Sequence, residues 1–400
     1  MEATTRISKL IKTVLIVFIL IFSMLSFKLI PFAGFIGLDF QNLYAFHNSV
    51  SPNDPYSITG AEAGDVGKRD MIYPPLLYFL FTWTRFVPFS IGYILWSAIV
   101  CAITLGCFSM WVNEKEIKVI GIAYAIPFIV LLTAQFPVSF AIERGNNDVL
   151  VLLSWSLSYF CYKRDRYLLS GALAGLAAAM KLYPIFACAI VLASCVVAAA
   201  RYQSERKKSI LCILGGFIAV LSVSLVFWPQ TKTYFFSILP RIQDSQSGLV
   251  YYAHSLRQVF VDYSPRMSSW GNGLLSAALL AAWLAAGVRL FRKDPALVFA
   301  GGLALSTYFS GISYDYNLMT AFPLLFILYC RSIYSDAPSS NIAFILLLVG
   351  LFAVIGYRGL FMASKHLMQF HILLQWFWVV AVAVLGEATR EPIAIAYGIM

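Results

Sequence analysis

Apolar residues fall in long, nearly unbroken runs joined by short polar connections, and the pattern recurs from residue 10 to residue 385. A helix needs about 20 such residues to cross about 30 Å of hydrocarbon. Thirteen runs qualify as candidates, starting near Leu10, Tyr73, Ile91, Ile117, Val149, Tyr167, Leu182, Ser209, Gly273, Ala296, Leu318, Ile342 and Phe370. The first follows Arg6, Lys9 and Lys12 as a signal peptide would, yet it is too long for one and has no small-residue cleavage site. It reads as a retained helix.

Basic residues test the count. Arg6/Lys9/Lys12, Lys163/Arg164/Arg166, Arg201/Arg206/Lys207/Lys208 and Arg289/Arg292/Lys293 are the cationic clusters, and the positive-inside rule sends them all to the cytoplasmic side. From the second cluster onward an even number of runs separates each from the next. Between the first and second lie the runs near 10, 73, 91, 117 and 149, an odd number, so one does not cross. Residues 73–88 are the weakest: the run opens on the Tyr-Pro-Pro of Tyr73 and holds Arg85. It is expected to be a juxtamembrane or re-entrant helix. The expectation is an all-α polytopic membrane protein, one transmembrane domain over 1–400, with about 12 crossings, both termini cytoplasmic, and external segments at 31–88 and 229–271.

Composition agrees. Sixty per cent of the 400 residues are hydrophobic and 12% are charged, which suits lipid and not water as the solvent. The formal charge of +10 is scattered over loops instead of forming a stripe among exposed aromatics, so nucleic acid is not the expected partner. The seven cysteines lie in or at the ends of apolar runs and form no CxxC motif. No metal site, disulfide or cofactor is expected, and neither a P-loop nor a dinucleotide fingerprint is present.

The outward connections carry the unusual polarity. Asp39 stands just after the first run on a stretch where Phe40, Leu43, Tyr44 and Phe46 share one helical face; its carboxylate either caps that helix or takes a proton from a hydroxyl. Residues 143–148 read Glu-Arg-Gly-Asn-Asn-Asp, either a capped connection or an anion and sugar site built from Arg144, the amides and helix N–H groups. Small residues Gly171, Gly175 and Ala179 predict close helix packing before a lone Lys181, which either snorkels or holds a lipid-linked phosphate as a point charge. His254 and Arg257 lie on an aromatic amphipathic stretch and read as interfacial anchors or substrate contacts. Tyr314 and Asp315, in Gly-Ile-Ser-Tyr-Asp-Tyr-Asn, read as a helix cap or a further contact.

At these residues the chain resembles the GT-C superfamily of polyprenyl-phosphate-sugar-dependent glycosyltransferases, and family 87 in particular. The carriers are Asp39, the YPPL at Tyr73, ERGNND at Glu143, KLYP at Lys181, HSLRQ at His254 and SYDYN at Ser313. The resemblance implies an inverting transfer of a hexose such as mannose to a lipid-linked or glycan acceptor, on the external face of the cytoplasmic membrane. It implies Asp39 as base, Lys181 and Arg144 near the donor phosphate, and Tyr73, Asn146, Asn147, Asp148, Tyr183, His254, Arg257, Tyr314 and Asp315 as substrate contacts. Asp39 stands alone where several relatives carry two acids, which argues against a bound divalent metal. Two rivals remain: a polysaccharide polymerase or ligase, which would rely on His254 and Arg257, and a lipid-linked sugar transporter, which would show midplane charges or an internal repeat.

Overall fold

The computed structural model describes residues 2–27, 37–48, 55–57, 73–111, 122–240, 265–309, 315–333, 337–355 and 365–389. Among the described residues every regular element is helical. In chain order the main helices are α1 (Glu2–Phe27), α2 (Leu38–Asn48), α3 (Pro75–Leu80), α4 (Phe89–Trp111), α5 (Ile122–Thr133), α6 (Phe136–Arg144), α7 (Asp148–Lys163), α8 (Tyr167–Met180), α9 (Pro184–Arg201) and α10 (Gln203–Val226). They continue with α11 (Pro265–Leu290), α12 (Pro295–Phe309), α13 (Phe322–Ser332), α14 (Pro338–Val354) and α15 (Lys365–Leu385).

Among the described residues six helices are long and apolar enough to cross a membrane alone, and the pair α5 and α6, bent by 47°, raises this to seven if it forms one span. This is a multi-pass membrane protein. That measure takes only helices of 18 residues or more and does not confirm the expected dozen crossings; shorter apolar helices stand outside it. Helix α8, for instance, has 14 residues and rises about 21 Å, stopping where Lys181 becomes extended. The run at Tyr73 holds the six-residue α3 and a 3-10 turn at Thr82–Phe86; six residues rise about 9 Å and cannot cross.

Tight contacts are made by small residues, as in other bundles that cannot rely on hydrophobic exclusion between helices. A Cβ built on Gly171 would fall on the Cys212 carbonyl, one on Gly215 would fall on the Leu168 carbonyl, and one on Gly175 would meet the Gly216 carbonyl at 2.7 Å. The partner of the small-residue stripe is therefore α10. Gly171→Ala is expected to destabilise by about 1–3 kcal/mol, since backbone atoms must move apart. A thermal midpoint in detergent equal to wild type would contradict this packing. Buried indoles bind across helices too: Trp155 to the Phe299 carbonyl at 2.8 Å, Trp283 to the Val379 carbonyl at 3.1 Å and Trp378 to the Leu346 carbonyl at 2.8 Å.

The four cationic clusters converge on one end of the bundle. Lys12 donates to the Ser332 carbonyl and to Asn341, and neighbouring Arg331 pairs with Asp294 at 2.6 Å. Lys293 and Arg289 bind Glu387, Arg292 lies over the Tyr202 ring, and Lys208 lies over the Tyr167 ring beside Arg166. Helices α7, α8 and α9 run from this end to the opposite one, where Asp148, Lys181 and Pro184 sit.

Candidate active site

Sequence dictates the local geometry at that opposite end. Pro137 in the first turn of α6 and the buried Gln135 before it mark the bend after α5; the Gln135 amide donates to the carbonyls of Leu20 and Leu131 at 3.0 and 2.8 Å. Helix α6 then ends at Arg144 with Gly145 left-handed, φ +66°. The Gly145 and Asn146 N–H groups return to the carbonyls of Ile142 and Ala141 at 2.9 and 2.8 Å, closing a Schellman turn. Glycine is needed here twice over, because a Cβ would also collide with Phe40 on α2. Helix α2 is held in that place by the Gly37 N–H, which donates to the Glu143 carbonyl at 2.6 Å.

The close approach puts Asp39 against the turn. Its carboxylate accepts from Arg144 Nη2 at 2.9 Å and from Asn146 Nδ2 at 3.0 Å. Each oxygen keeps one further lone pair, since an ionised carboxylate has about four acceptor sites. Helix capping, one of the two roles open from sequence, is not what these contacts show. Asn146 Oδ1 in turn accepts the Asp148 N–H at 2.8 Å and so satisfies one of the free donors at the start of α7.

A second limb is built on Asp148, which is 0% exposed. Lys181 Nζ lies 3.3 Å from both of its carboxylate oxygens, Tyr183 Oη donates at 2.8 Å, and Asn317 Nδ2 donates at 3.4 Å. The Lys-Leu-Tyr-Pro stretch forms this limb because Lys181 is extended and ends α8, while Pro184 takes the first position of α9, where its missing N–H costs nothing. Tyr73 joins the two limbs. Its ring lies 5.0 Å under Lys181 Nζ, a cation–π distance. Burial pushes the Tyr73 phenol well above its ordinary range, and the Asp39, Tyr78 and Asp148 charges push the same way against Arg144; the phenol stays protonated.

Asp39, Tyr73, Arg144, Asn146, Asp148, Lys181 and Tyr183, separated by up to 144 positions, thus share one network. Asn147 sits between Asn146 and Asp148, fully buried, and neither its Oδ1 nor its Nδ2 has a partner among the described residues. An unpaired buried amide costs about 1–3 kcal/mol. Sequence reading missed Asn317, although it closes the Ser-Tyr-Asp-Tyr-Asn stretch; the polar residue at the head of an apolar run was the available signal. His254, Arg257 and Tyr314 lie outside the described residues, and Asp315 is described only as the start of the turn Asp315–Ala321. Among the described residues no group of three His, Cys, Asp or Glu side chains gathers to hold a metal.

No curated protein matches the chain significantly. Glycosyltransferase family 87 matches residues 71–311, which take in Tyr73, the ERGNND turn and the KLYP turn but neither Asp39 nor Asn317. The match covers more than half of the chain, and the buried network of acids, cations and amides opposite the basic end lies largely within it; the chain belongs to glycosyltransferase family 87 and is a membrane glycosyltransferase.

Proposed function

We propose that the protein transfers a hexose such as mannose from a polyprenyl-phosphate donor to a hydroxyl of a lipid-linked or glycan acceptor, with inversion at the anomeric carbon. The observation that carries this reading is the union of Asp39 and Lys181, through Asn146 and Asp148, in a single network. Asp39 takes the acceptor proton on a free lone pair as the acceptor oxygen attacks C1. The bond from C1 to the phosphate oxygen breaks, and the electron pair leaves on the polyprenyl phosphate. Charge grows on that leaving group, so stabilisation is mainly electrostatic. Lys181 suits this role: ammonium has three donors and Asp148 does not use them all.

Arg144 has a different place in the mechanism from the one its charge alone suggests. With its Nη2 on Asp39, it orients the base first and reaches the phosphate second. A single-phosphate lipid donor also accounts for a site made without a nucleotide fingerprint. The convergence of cationic clusters at the far end supports a cytoplasmic basic end and an external active site in the cytoplasmic membrane.

The test is transfer in proteoliposomes supplied with mannose, glucose or galactose on polyprenyl phosphate, or as nucleotide sugars. Transfer from one of the polyprenyl-linked sugars and from none of the nucleotide sugars is expected. Transfer from the nucleotide sugars alone would overturn the donor assignment.

A further inference from the structure

We infer that Asn147 is the residue that reads the transferred sugar, its side-chain amide binding two neighbouring ring hydroxyls; the inference rests on the polyprenyl-phosphate-sugar reading above. Three observations lead to it. The Asn147 side chain is 0% exposed and its acceptor and donor atoms both lack partners among the described residues. A polar group kept in that condition lowers stability and calls for an explanation, and Asn147 is the one buried amide among the described residues whose Oδ1 and Nδ2 are both unpartnered. The neighbours, by contrast, are engaged with protein: Asn146 with Asp39 and the Asp148 N–H, and Asp148 with Lys181, Tyr183 and Asn317.

Position and chemistry fit the same ligand. Asn147 lies in sequence between Asn146, which holds the base, and Asp148, which holds the lysine. A sugar being passed from phosphate to acceptor must also lie between those two groups, with C1 in line between the attacking and leaving oxygens. The amide offers one donor atom and one acceptor atom side by side, the complement of a vicinal diol in which one hydroxyl accepts and the other donates. Asn147 begins α7 but its side chain caps nothing, so ordinary N-terminal capping does not account for it. Because the amide is shut off from water, hydrogen bonds to a sugar there form without competing solvent. A buried site built to bind a hydroxyl discriminates strongly against analogues that lack it.

The experiment compares wild type with Asn147→Leu, which keeps the branched shape at a larger volume and removes both polar atoms, and with Asn147→Ala in case leucine does not fit. Thermal midpoint in detergent, binding of sugar-free polyprenyl phosphate, and kcat/KM with the preferred polyprenyl-phosphate sugar and its single-deoxy analogues are measured. Expected are an unchanged or raised midpoint, unchanged binding of the sugar-free lipid, and a loss in kcat/KM of roughly 100-fold, about tenfold for each of the two hydrogen bonds removed. Wild type should discriminate against two adjacent deoxy positions, and the variants should not. Full activity in either variant, or deoxy discrimination that survives the substitution, overturns the role of Asn147. So does a lowered midpoint accompanied by lost lipid binding, which would make the residue structural. If wild type binds no polyprenyl phosphate and uses no such sugar, the donor reading itself falls, and this inference with it.

Discussion

Asp39→Asn is expected to cut sugar transfer by about 10²–10⁴-fold, the range that a positioned general base contributes, while the protein still folds. The substitution keeps the shape and removes the capacity to accept a proton. It also reorders two hydrogen bonds. Asn146 cannot turn its amide over to compensate, since its Oδ1 is bound to the Asp148 N–H, so an amide at position 39 satisfies Arg144 or Asn146 but not both. A moderate fall in stability of about 1–2 kcal/mol therefore accompanies the loss of activity. Transfer in proteoliposomes read beside the thermal midpoint separates the two effects, and Asp39→Glu should recover part of the rate. Undiminished transfer by a folded Asp39→Asn protein would remove Asp39 from the mechanism.

Asp148→Ala should be the most destabilising single change at the site. It strips the partner from Lys181, whose side chain is only 13% exposed, and from Tyr183 and Asn317 together. Leaving one member of a buried ion pair unmatched costs about 3–5 kcal/mol, whereas replacing both by apolar residues of similar volume is often neutral. The double variant Asp148→Leu with Lys181→Met should regain most of the lost stability and remain without transfer activity. A double variant that transfers sugar at the wild-type rate would show that Lys181 does not serve the donor phosphate. An Asp148→Ala protein as stable as wild type would show that the pair contributes nothing to the fold.

Much of this site was legible in the sequence because polar residues are conspicuous in an apolar chain. Asp39, the ERGNND stretch, Lys181 and Tyr183 each stood out singly, and the expectation that they belong to one outward end came from charge parity. Sequence could not assign parts within the cluster. The packing of Phe40 against Gly145, which lets α2 bring Asp39 so near, is not visible in the sequence. That the Asp148 carboxylate is engaged by three side chains could not be read from sequence. Asn147 is indistinguishable from Asn146 in the sequence, and only the hydrogen bonds separate the amide that builds the turn from the one left unpaired. The crossing count was the least legible feature. Hydropathy registers where chain can sit in lipid, whereas the extended Lys181 and the bend between α5 and α6 decide where helices stop.

The separation of the basic end from the catalytic end bears on how variants of this enzyme are to be interpreted. Under the proposed orientation the positive-inside rule gives the steering of membrane insertion to Lys12, Lys163, Arg201, Lys208, Arg289 and their neighbours, and none of these belongs to the Asp39–Asp148 network. Substitutions at Arg144 or Lys181 remove positive charge from the opposite end and so reinforce the existing charge bias. A variant there that reaches the membrane but fails to transfer sugar would then implicate the candidate site and not insertion.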